Sequence, residues 1–433
     1  MERLRIGLIG CGTVGGQVYK ILKRKRRNLY WKTGILFEVV KVCDKAKKRR
    51  KELKIPSSLF TTDPHQVTND PNIDIIVELI GGTEEAFEYL CEAIKKGKSV
   101  VTANKALLSE KGRTIFDLCE ENRVYIGFEA SVAGSIPIIK TIRESFIGNN
   151  FSKLLGILNG TTNFILSKMT HLDIDFNQAL KIAKEKGYAE AEPYFDISGL
   201  DSAHKLSILT KLAFNKSVSW RNIYTEGIDR IEKMDVEFAR ELGYRIKLLG
   251  IAKRDRNILE LRVHPVLLPA THLLSLVEDV YNAIYIEGDL IGKSLLYGKG
   301  AGGKPAASAV ISDLVEIGMK LKMKNYGNMK FREDSTLELL PFDEIKTKYY
   351  FRFTAVDKPG VLAKIAKVLG EKNISIASVI QKKESPQKAV PIVMLTHPSK
   401  EKNVSEALKI IDKLDIIKKP TIKIRVEEED GNI

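Results

Sequence analysis

A cluster of carboxylates lies beside one lysine in the segment from Gly187 to Lys205. It contains Glu190, Asp196 and Asp201, and Asp201 precedes Lys205 by four residues. A helix would place these last two side chains on the same face. A lysine among carboxylates can transfer protons if its pKa is suitably placed. An exposed helical ion pair, worth about 0.3–0.5 kcal/mol, is the alternative.

Three side chains could accept a proton in such a site, namely His204, Lys205 and the more distant Lys105. A single histidine on a helix is more often structural than catalytic. A lysine base needs a lowered pKa, whereas the neighbouring Asp201 would raise it. Burial or a second cation would have to compensate, and the sequence leaves that balance open.

A glycine-rich motif, Gly10-Cys11-Gly12-Thr13-Val14-Gly15, follows the predicted strand Leu4 to Ile9 and opens a predicted helix. The first glycine permits a tight turn, the second a close approach of a pyrophosphate, and the third close packing of the helix. The amide groups at the helix N-terminus then face the anion. This context predicts a dinucleotide site, with a glycine turn that binds no ligand as the alternative.

The end of the second predicted strand bears on the choice between NAD and NADP. Asp44 could bind the adenine ribose, whereas Lys45 and the basic residues that follow could bind a 2′-phosphate. Asp44 lies 29 residues beyond Gly15, against about 20 in the usual fingerprint. Both cofactors therefore remain open.

The pattern of strands and helices indicates an α/β chain with three domains. Residues 1–135, completed by about 297–318, alternate strands and helices as in a doubly wound Rossmann-like domain. Its predicted elements include the helices Val14 to Lys23 and Glu84 to Lys96 and the strand Val124 to Phe128. Residues 136–320 suit an α+β catalytic and oligomerisation domain, and 321–348 a linker. Residues 349–428 give the order βαββαβ of a ferredoxin-like unit.

Composition limits the remaining classes. The net charge is +15, but the basic runs 23–27 and 45–51 have no aromatic residues at regular spacing, so we expect no nucleic-acid partner. No apolar run is long enough to span a membrane, and the four cysteines have no paired spacing. A cytoplasmic enzyme is the expectation.

Several separated motifs together resemble those of homoserine dehydrogenases. They are the glycine motif, Thr102-Ala103-Asn104-Lys105, the segment from Glu129 to Pro137, Asn159-Gly160-Thr161-Thr162-Asn163, Gly187 to Lys205, and Tyr297 to Gly302. The resemblance implies NAD(P)-dependent interconversion of L-homoserine and L-aspartate 4-semialdehyde, in the biosynthesis of threonine, methionine and isoleucine.

The resemblance also implies roles for individual residues. Lys205 would transfer the proton, with Lys105 as its partner across the cleft. The substrate would be bound by Gly187, Glu190, Asp196 and Asp201. The cofactor would contact Gly10, Gly12, Thr13, Val14, Gly15, Asp44, Lys45, Thr102, Lys105 and Gly302.

The segment from Glu129 to Pro137 resembles the monovalent-cation loop of the same family. Glu129 and the carbonyl groups of Val132, Gly134 and Ile136 would then hold sodium, since oxygen ligands suit a hard cation. Ser135 stands where the family often has glycine, which leaves the carbonyl groups available. A loop that joins two domains without an ion is the alternative.

The C-terminal unit resembles an ACT domain, through Asp357-Lys358-Pro359-Gly360-Val361-Leu362 and Asn373-Ile374-Ser375-Ile376. ACT domains bind amino acids where their sheets pair, so the resemblance implies L-threonine as effector and a homodimer or homotetramer. A purely structural dimerisation module is the alternative.

Two other functions are alternatives to homoserine dehydrogenase activity. A phosphorylating semialdehyde dehydrogenase needs an activated cysteine beside a histidine, but Cys91 and Cys119 fall in predicted helices without a matching histidine. An NAD- and amino-acid-binding regulator without turnover would use the first and last domains only. The lysine and carboxylate set argues against that second reading.

Overall fold

The N-terminal part of the chain forms a six-stranded, fully parallel sheet. The structure is a computed structural model that describes residues 2–323, 332–381 and 389–428. In spatial order, the strands are the third, second, first, fourth, fifth and sixth. This order confirms the predicted doubly wound fold. The strands are Glu2–Ile9, Ile35–Cys43, Phe60–Thr61, Ile75–Glu78, Ser99–Thr102 and Ile126–Gly127.

Helices cover both faces of this sheet. The first, Thr13–Arg24, buries Val18 and Leu22. Its neighbour Gly303–Lys322 comes from far along the chain and places Val310 in the same apolar cluster. The other helices of this part are Arg26–Thr33, Lys48–Glu52, His65–Thr68, Glu84–Lys95 and Lys105–Glu121, with a 3₁₀ turn at Ser57–Leu59.

A mixed sheet forms the middle of the molecule. Its strands are Phe151–Ile157, Tyr224–Thr225, Tyr244–Asp255, Ile258–Pro269, Tyr281–Gly288, Gly292–Lys299 and Glu338–Leu339. The helices of this part are Ile138–Lys140, Gly160–Leu172, Phe176–Glu185, Tyr194–Ile197, Leu200–Phe214 and Lys233–Glu241, with a π-helical turn at Thr141–Ser145. Further 3₁₀ turns are Glu129–Ser131, Trp220–Asn222 and Leu273–Leu276.

The C-terminal part has the predicted βαββαβ order. Its elements are Lys346–Val356, Val361–Glu371, Ile376–Ile380, Ala389–Thr396, the short strand Ser399–Lys400, Glu401–Ile411 and Ile417–Val426. The last strand also pairs in parallel with Ile258–Pro269, with Arg425 opposite Val266. The middle and C-terminal parts therefore share one continuous sheet.

Two expectations about local structure need correction. Part of the predicted linker 321–348 is regular, because Glu338–Leu339 pairs with the strand Ile258–Pro269 and a 3₁₀ turn follows at Phe342–Glu344. The rest of its polar stretch, 324–331, lies outside the described residues. The strand predicted from Val124 to Phe128 is only Ile126–Gly127. The domain boundaries themselves stay predictions.

In the described parts of the chain, no helix is both long and apolar enough to cross a lipid bilayer.

Candidate active site

Lys205 lies in the middle of a buried cluster of polar groups. It belongs to the helix Leu200–Phe214, hereafter the catalytic helix, and is 8% exposed. Its Nζ donates to the carbonyl oxygen of Leu158 at 2.6 Å and to Oδ2 of Asp201 at 2.7 Å. The predicted i, i+4 pair is thus a buried contact and not a surface ion pair.

Asp201 joins the two lysines. Its Oδ1 lies 2.5 Å from Nζ of Lys105, and its Oδ2 contacts Lys205. Lys105 is the first residue of the helix Lys105–Glu121, which is capped by the Asn104 side chain through the amide of Leu107 at 3.1 Å. The two helices therefore meet at a single carboxylate.

A second layer of polar side chains holds this carboxylate. Nδ2 of Asn159 donates to Asp201 and to Asp196, both at 2.8 Å. The Thr161 hydroxyl lies between two acceptors, the carbonyl oxygen of Tyr188 at 2.7 Å and Asp196 at 3.1 Å, and its single proton is shared between them. These contacts fix Asp196 and Asp201 beside Lys205.

Burial and charge move the pKa values of the two lysines in opposite directions. The pKa of Lys205 is lowered, chiefly by burial and also by the charge of Lys105, although Asp201 opposes the shift. The pKa of Lys105 is raised, because Asp201, Asp196 and Glu190 together outweigh its burial. The pKa of Asp201 is lowered by the two lysines despite burial. Such a divided pair is typical of an acid–base site.

His204 has a structural place in the cluster. Its Nδ1 lies 2.7 Å from the Ser109 hydroxyl, and its ring stacks on Trp220 with centroids 4.5 Å apart. Burial lowers the pKa of His204 to about 4, so the ring is neutral near pH 7. These contacts join the catalytic helix to the helix Lys105–Glu121.

The remaining predicted substrate residues lie at the open side of the cluster. Gly187, with φ of +71°, turns the chain after the helix Phe176–Glu185. Glu190 is exposed, yet it lies close enough to raise the pKa of Lys105. The pKa of Asp196 is raised by burial and by Asp201. The structure therefore places Glu190, Asp196 and Asp201 near the lysines, whereas Gly187 is linked to the cluster only through its neighbour Tyr188, whose carbonyl oxygen accepts from Thr161.

The glycine motif fits a dinucleotide. Gly10 has φ of +94°, and a Cβ there would lie 2.6 Å from the Leu79 carbonyl oxygen. A Cβ on Gly15 would overlap the Gly10 carbonyl group, whereas a Cβ on Gly12 would meet no protein atom within 4 Å. The space beside Gly12, at the start of the helix Thr13–Arg24, is therefore open to a ligand.

A crevice runs from this motif to the ends of the neighbouring strands, where doubly wound folds bind their ligands. Gly303 packs on the Thr13 carbonyl oxygen, so the loop containing Gly302 reaches the motif as predicted. Val14 follows Thr13 in the first turn of its helix. The crevice is lined by Ile9, Gly10, Gly12, Cys43, Asp44, Lys45, Pro64, Leu79, Ile80, Gly81, Glu85 and Tyr89.

Asp44 and Lys45 already have partners in the protein. The Asp44 carboxylate accepts hydrogen bonds from the amides of Cys11 at 2.7 Å and Ala46 at 2.8 Å. Lys45 pairs with Glu85 at 2.7 Å at an exposed position. Asp44 therefore ties the glycine motif to the second strand.

Thr102 is buried and does not face the crevice directly. Its hydroxyl donates to Glu78 at 2.5 Å and accepts from the amide of Asn104 at 3.0 Å. Asn104 in turn donates to the carbonyl oxygen of Gly82 at 2.6 Å. Thr102 thus positions the residue that caps the helix of Lys105.

Sequence reasoning assigned no role to Glu78, Asn104, Leu158 or Asn159. Glu78 is a fully buried acid at the end of an apolar strand, and that contrast was visible in the sequence. Asn104 and Asn159 fall inside the quoted motifs, and both precede helices, where asparagine commonly caps. The carbonyl group of Leu158 left no sequence signal, because any residue supplies one.

The loop from Glu129 to Ile136 has oxygen atoms that suit a hard cation. In the described part of the chain, the carbonyl groups of Val132 and Gly134 accept no hydrogen bond. The buried carboxylate of Glu129 accepts from the amides of Ile139 and Lys140, both at 2.9 Å. The carbonyl oxygen of Ile136 accepts from the amide of Ile138 at 2.8 Å. The residues fit a monovalent cation, with Glu129 also closing the following turn.

Together, the parallel sheet with its glycine motif, the lysine–carboxylate site and the C-terminal βαββαβ unit define a nucleotide-dependent enzyme with an appended regulatory fold. Family models match the same three parts: the homoserine dehydrogenase NAD-binding domain over residues 10–129, homoserine dehydrogenase over 137–315, and the ACT domain over 349–415.

Similar proteins agree over the full length. Homoserine dehydrogenases of Neisseria gonorrhoeae and Pseudomonas aeruginosa are each 41% identical to this chain, over 99% of it and 99% and 100% of their own lengths. The crystal structure of a homoserine dehydrogenase from Thiobacillus denitrificans matches with a TM-score of 0.93 at 42% identity, covering 99% of each chain. The chain belongs to the homoserine dehydrogenase family.

A more distant solved structure has a bound cofactor. The hyperthermophilic archaeal homoserine dehydrogenase in complex with NADPH matches with a TM-score of 0.64 at 26% identity. The match covers 76% of this chain and 100% of the archaeal one.

Proposed function

We propose that this protein interconverts L-homoserine and L-aspartate 4-semialdehyde with a nicotinamide dinucleotide, and that Lys205 is its general acid and base. The observation that carries the proposal is the buried Lys205, whose Nζ has two protein acceptors, Leu158 and Asp201. A neutral amine uses both of its N–H groups in these contacts. Its lone pair is then left for a third group, the substrate hydroxyl.

The bound cofactor would accept a hydride from homoserine or return one to the aldehyde. During oxidation, the neutral Nζ of Lys205 takes the hydroxyl proton, and during reduction the protonated Nζ returns it. Lys105 stays cationic because its pKa is raised. It stabilises negative charge on the substrate oxygen and, by repulsion, adds to the lowering of the Lys205 pKa that burial causes.

Homoserine is a zwitterion, so its ammonium group requires carboxylates. Asp201 is already occupied by two lysines. We therefore assign the ammonium group mainly to Glu190 and Asp196, with Asp201 holding the lysines in place. Gly187 lets the backbone approach the substrate.

For the cofactor, we propose that the open space at Gly12 holds the pyrophosphate, with Thr13 and Val14 at the helix N-terminus and Gly302 closing the far side. Asp44 and Lys45 border the adenosine end of the crevice. Asp44 supports NAD and the basic residues after it support NADP, so both cofactors are assayed.

We further propose that the loop of Glu129, Val132, Gly134 and Ile136 binds sodium, which would stiffen the connection between the two halves of the site. Adding sodium to protein in tetramethylammonium buffer should raise the melting temperature of the wild type. The rise should be absent in Glu129→Gln. An equal rise in both proteins would contradict the sodium site.

The ACT domain is proposed to bind L-threonine and to inhibit turnover, in a homodimer or homotetramer formed through paired ACT sheets. Threonine titration followed by calorimetry and by initial rates tests this. Binding without inhibition, or no binding at millimolar threonine, would contradict it. The second outcome would favour a purely structural ACT domain.

The deciding experiment is homoserine-dependent reduction of NAD and NADP by the purified protein. We expect Lys205→Ala to lower kcat by about 10²- to 10⁴-fold, the usual contribution of a positioned acid or base. Lys211→Ala, on the same helix but outside the cluster, is the matched control. If neither cofactor is reduced, or if Lys205→Ala keeps full turnover, the proposal is wrong.

A further inference from the structure

A buried arginine of the C-terminal part reaches into the middle part of the molecule. Arg425 is 1% exposed and lies on the last strand. Its Nε and Nη2 donate to the Glu401 carboxylate, both at 2.8 Å, within the C-terminal part. Its Nη1 donates instead to Glu226 of the middle part at 2.9 Å.

The Glu226 end of this contact is fixed from several sides. The Tyr224 hydroxyl donates to Glu226 at 2.8 Å and accepts from Arg425 at 3.3 Å. The Tyr224 ring stacks on Phe342, with centroids 3.4 Å apart. The Arg425 guanidinium lies 5.0 and 4.9 Å from the centroids of these two rings. A planar guanidinium held by two carboxylates and by rings has little freedom to move.

Residues 224–228, here named the support segment, pack on the beginning of the catalytic helix. The amide of Ile228 donates to the Ile197 carbonyl oxygen at 3.0 Å, and a Cβ on Gly227 would overlap that oxygen. A Cβ added to Gly199, the residue before the catalytic helix, would lie 3.1 Å from Cγ2 of Thr225 and 3.3 Å from the Glu226 carbonyl oxygen, closer than ordinary van der Waals contact.

We infer that Glu226, held by Arg425, is a positioning residue that sets the catalytic helix against Lys105 and the Leu158 carbonyl group. The first turn of this helix contains Asp201, and the next contains Lys205. Asp201 contacts Lys105 at 2.5 Å, and Lys205 contacts the Leu158 carbonyl oxygen at 2.6 Å, each on another element. A small shift of the helix start would lengthen these contacts, and such displacements are costly to catalysis.

The same arrangement makes the C-terminal domain part of the active-site support. Glu401 and Arg425 both belong to that domain, whereas the support segment belongs to the catalytic one. A change of the ACT sheet that moves Arg425 would therefore reach the catalytic helix through one ion pair. This inference deepens the proposed function and rests on it, since Lys205 must be the acid–base residue.

The test compares two carboxylates at the same domain interface. Glu226 is 27% exposed, so Glu226→Gln should fold, whereas removal of the buried Arg425 would leave the buried Glu401 with only Lys423 and Tyr349 as partners. Glu428 is the matched control, because it bridges Tyr244 and Lys348 at 3.0 and 2.6 Å and, within the described residues, forms no hydrogen bond or ion pair with the support segment. Both variants lose one interface charge.

We expect Glu226→Gln to lower kcat about fivefold or more, with Glu428→Gln near the wild type. The solvent deuterium isotope effect on kcat should rise only in Glu226→Gln, because a poorly aligned proton transfer becomes rate-limiting. The KM for the cofactor should not change. Equal kcat in the two variants, or a loss without a larger isotope effect, would overturn the inference.

Two further variants distinguish a loss of positioning from a loss of folding. Glu226→Asp keeps the charge and should give a smaller loss than Glu226→Gln. Arg425→Lys keeps the positive charge opposite Glu401 but loses the planar guanidinium that contacts both carboxylates. Because both changes disrupt the same contact, the double variant with Glu226→Gln should lower kcat little further than Glu226→Gln alone. Additive losses would contradict the coupling. If the wild type lacks homoserine-dependent turnover, the proposed function fails; if it is active and Glu226→Gln matches Glu428→Gln, only this inference fails.

Discussion

At the scale of single residues, the site depends on one carboxylate that acts on two lysines. Asp201 raises the pKa of both, yet only Lys105 ends above its ordinary value, because Lys205 is more deeply buried. The sequence could show the pairing but not the burial. The depth of burial therefore separates the two lysines, because it lowers the pKa of Lys205 while the pKa of the less buried Lys105 is raised.

A change at Asp201 should move the pH profile. Asp201→Asn removes a group that raises the pKa of Lys205. Oxidation needs neutral Lys205, so the acid limb of kcat/KM for homoserine should move to lower pH, while kcat falls at every pH. Glu190→Gln is the control, since it should raise KM for homoserine without moving the acid limb. An acid limb that moves upward in Asp201→Asn would contradict the assignment.

Glu78 should make stability depend on pH. Burial raises the pKa of Glu78 to about 7, so its contribution to stability is full below the unfolded value near 4.5 and is lost as pH rises through about 7. Between pH 5 and pH 8 the wild type should lose up to about 3 kcal/mol of unfolding free energy in this way, and Glu78→Gln should not show that loss. Urea unfolding at both pH values measures it, with the exposed Glu84→Gln as control. The same pH dependence in Glu78→Gln would show that other groups cause it.

At the scale of elements, the patterns predicted most of the regular structure. The helices predicted from Val14 to Lys23 and Glu84 to Lys96 are observed as Thr13–Arg24 and Glu84–Lys95. Their apolar faces repeat with the helical period, which the sequence shows directly. The strand Tyr224–Thr225 escaped prediction, because two residues have no periodicity and its pairing partner is distant.

Removing the Asn104 cap of the helix Lys105–Glu121 should lower both stability and activity. Asn104→Ala should cost about 1 kcal/mol of stability, as caps usually do, and should also lower kcat/KM because Lys105 is the first helical residue. Asp175→Ala removes the cap of Phe176–Glu185, which holds no lysine of the site. Denaturation should give similar losses for both variants, and kinetics should separate them. Equal kcat/KM in both would contradict the positioning role of Asn104.

The glycine motif gives a second matched pair. Gly15→Ala would drive a methyl group into the Gly10 carbonyl group and should cost about 1–3 kcal/mol of stability. Gly12→Ala meets no protein atom, so it should leave the melting temperature unchanged while weakening cofactor binding about tenfold or more. Calorimetric titration with NADH and NADPH checks both. Wild-type cofactor affinity in Gly12→Ala would move the pyrophosphate elsewhere.

At the scale of the whole molecule, the domains are more closely joined than the sequence indicates. Asp235 of the middle part is fully buried and pairs with Arg352 of the C-terminal part at 2.6 Å, and Arg262 pairs with Glu427 at 3.0 Å. These partners are more than one hundred residues apart in sequence, so no local pattern could reveal them. The linker predicted at 321–348 is therefore only part of the connection, because buried ion pairs also join the middle and C-terminal parts.

Truncation after residue 345 should consequently do more than remove threonine sensitivity. It removes Arg352 and Glu427, the buried ion-pair partners of Asp235 and Arg262, and it exposes the apolar core surface on which Tyr350, Ile424 and Val426 pack. We expect a lower melting temperature and reduced kcat together. Lys348→Ala, which loses a half-exposed pair with Glu428, is the control for a weak contact. A truncated chain with wild-type stability and turnover would contradict the structural coupling.

The position of the strand Ile417–Val426 has a consequence for biosynthesis. It is the last strand of the described residues, yet it lies between Ile258–Pro269 and Lys346–Val356 in the shared sheet. Chains fold from the N-terminus as they are made, so this sheet can close only after the ribosome has translated and released the segment up to Val426. A product that stops before Ile417 would leave the facing edges of Ile258–Pro269 and Lys346–Val356 unpaired, and such exposed edges promote aggregation and degradation.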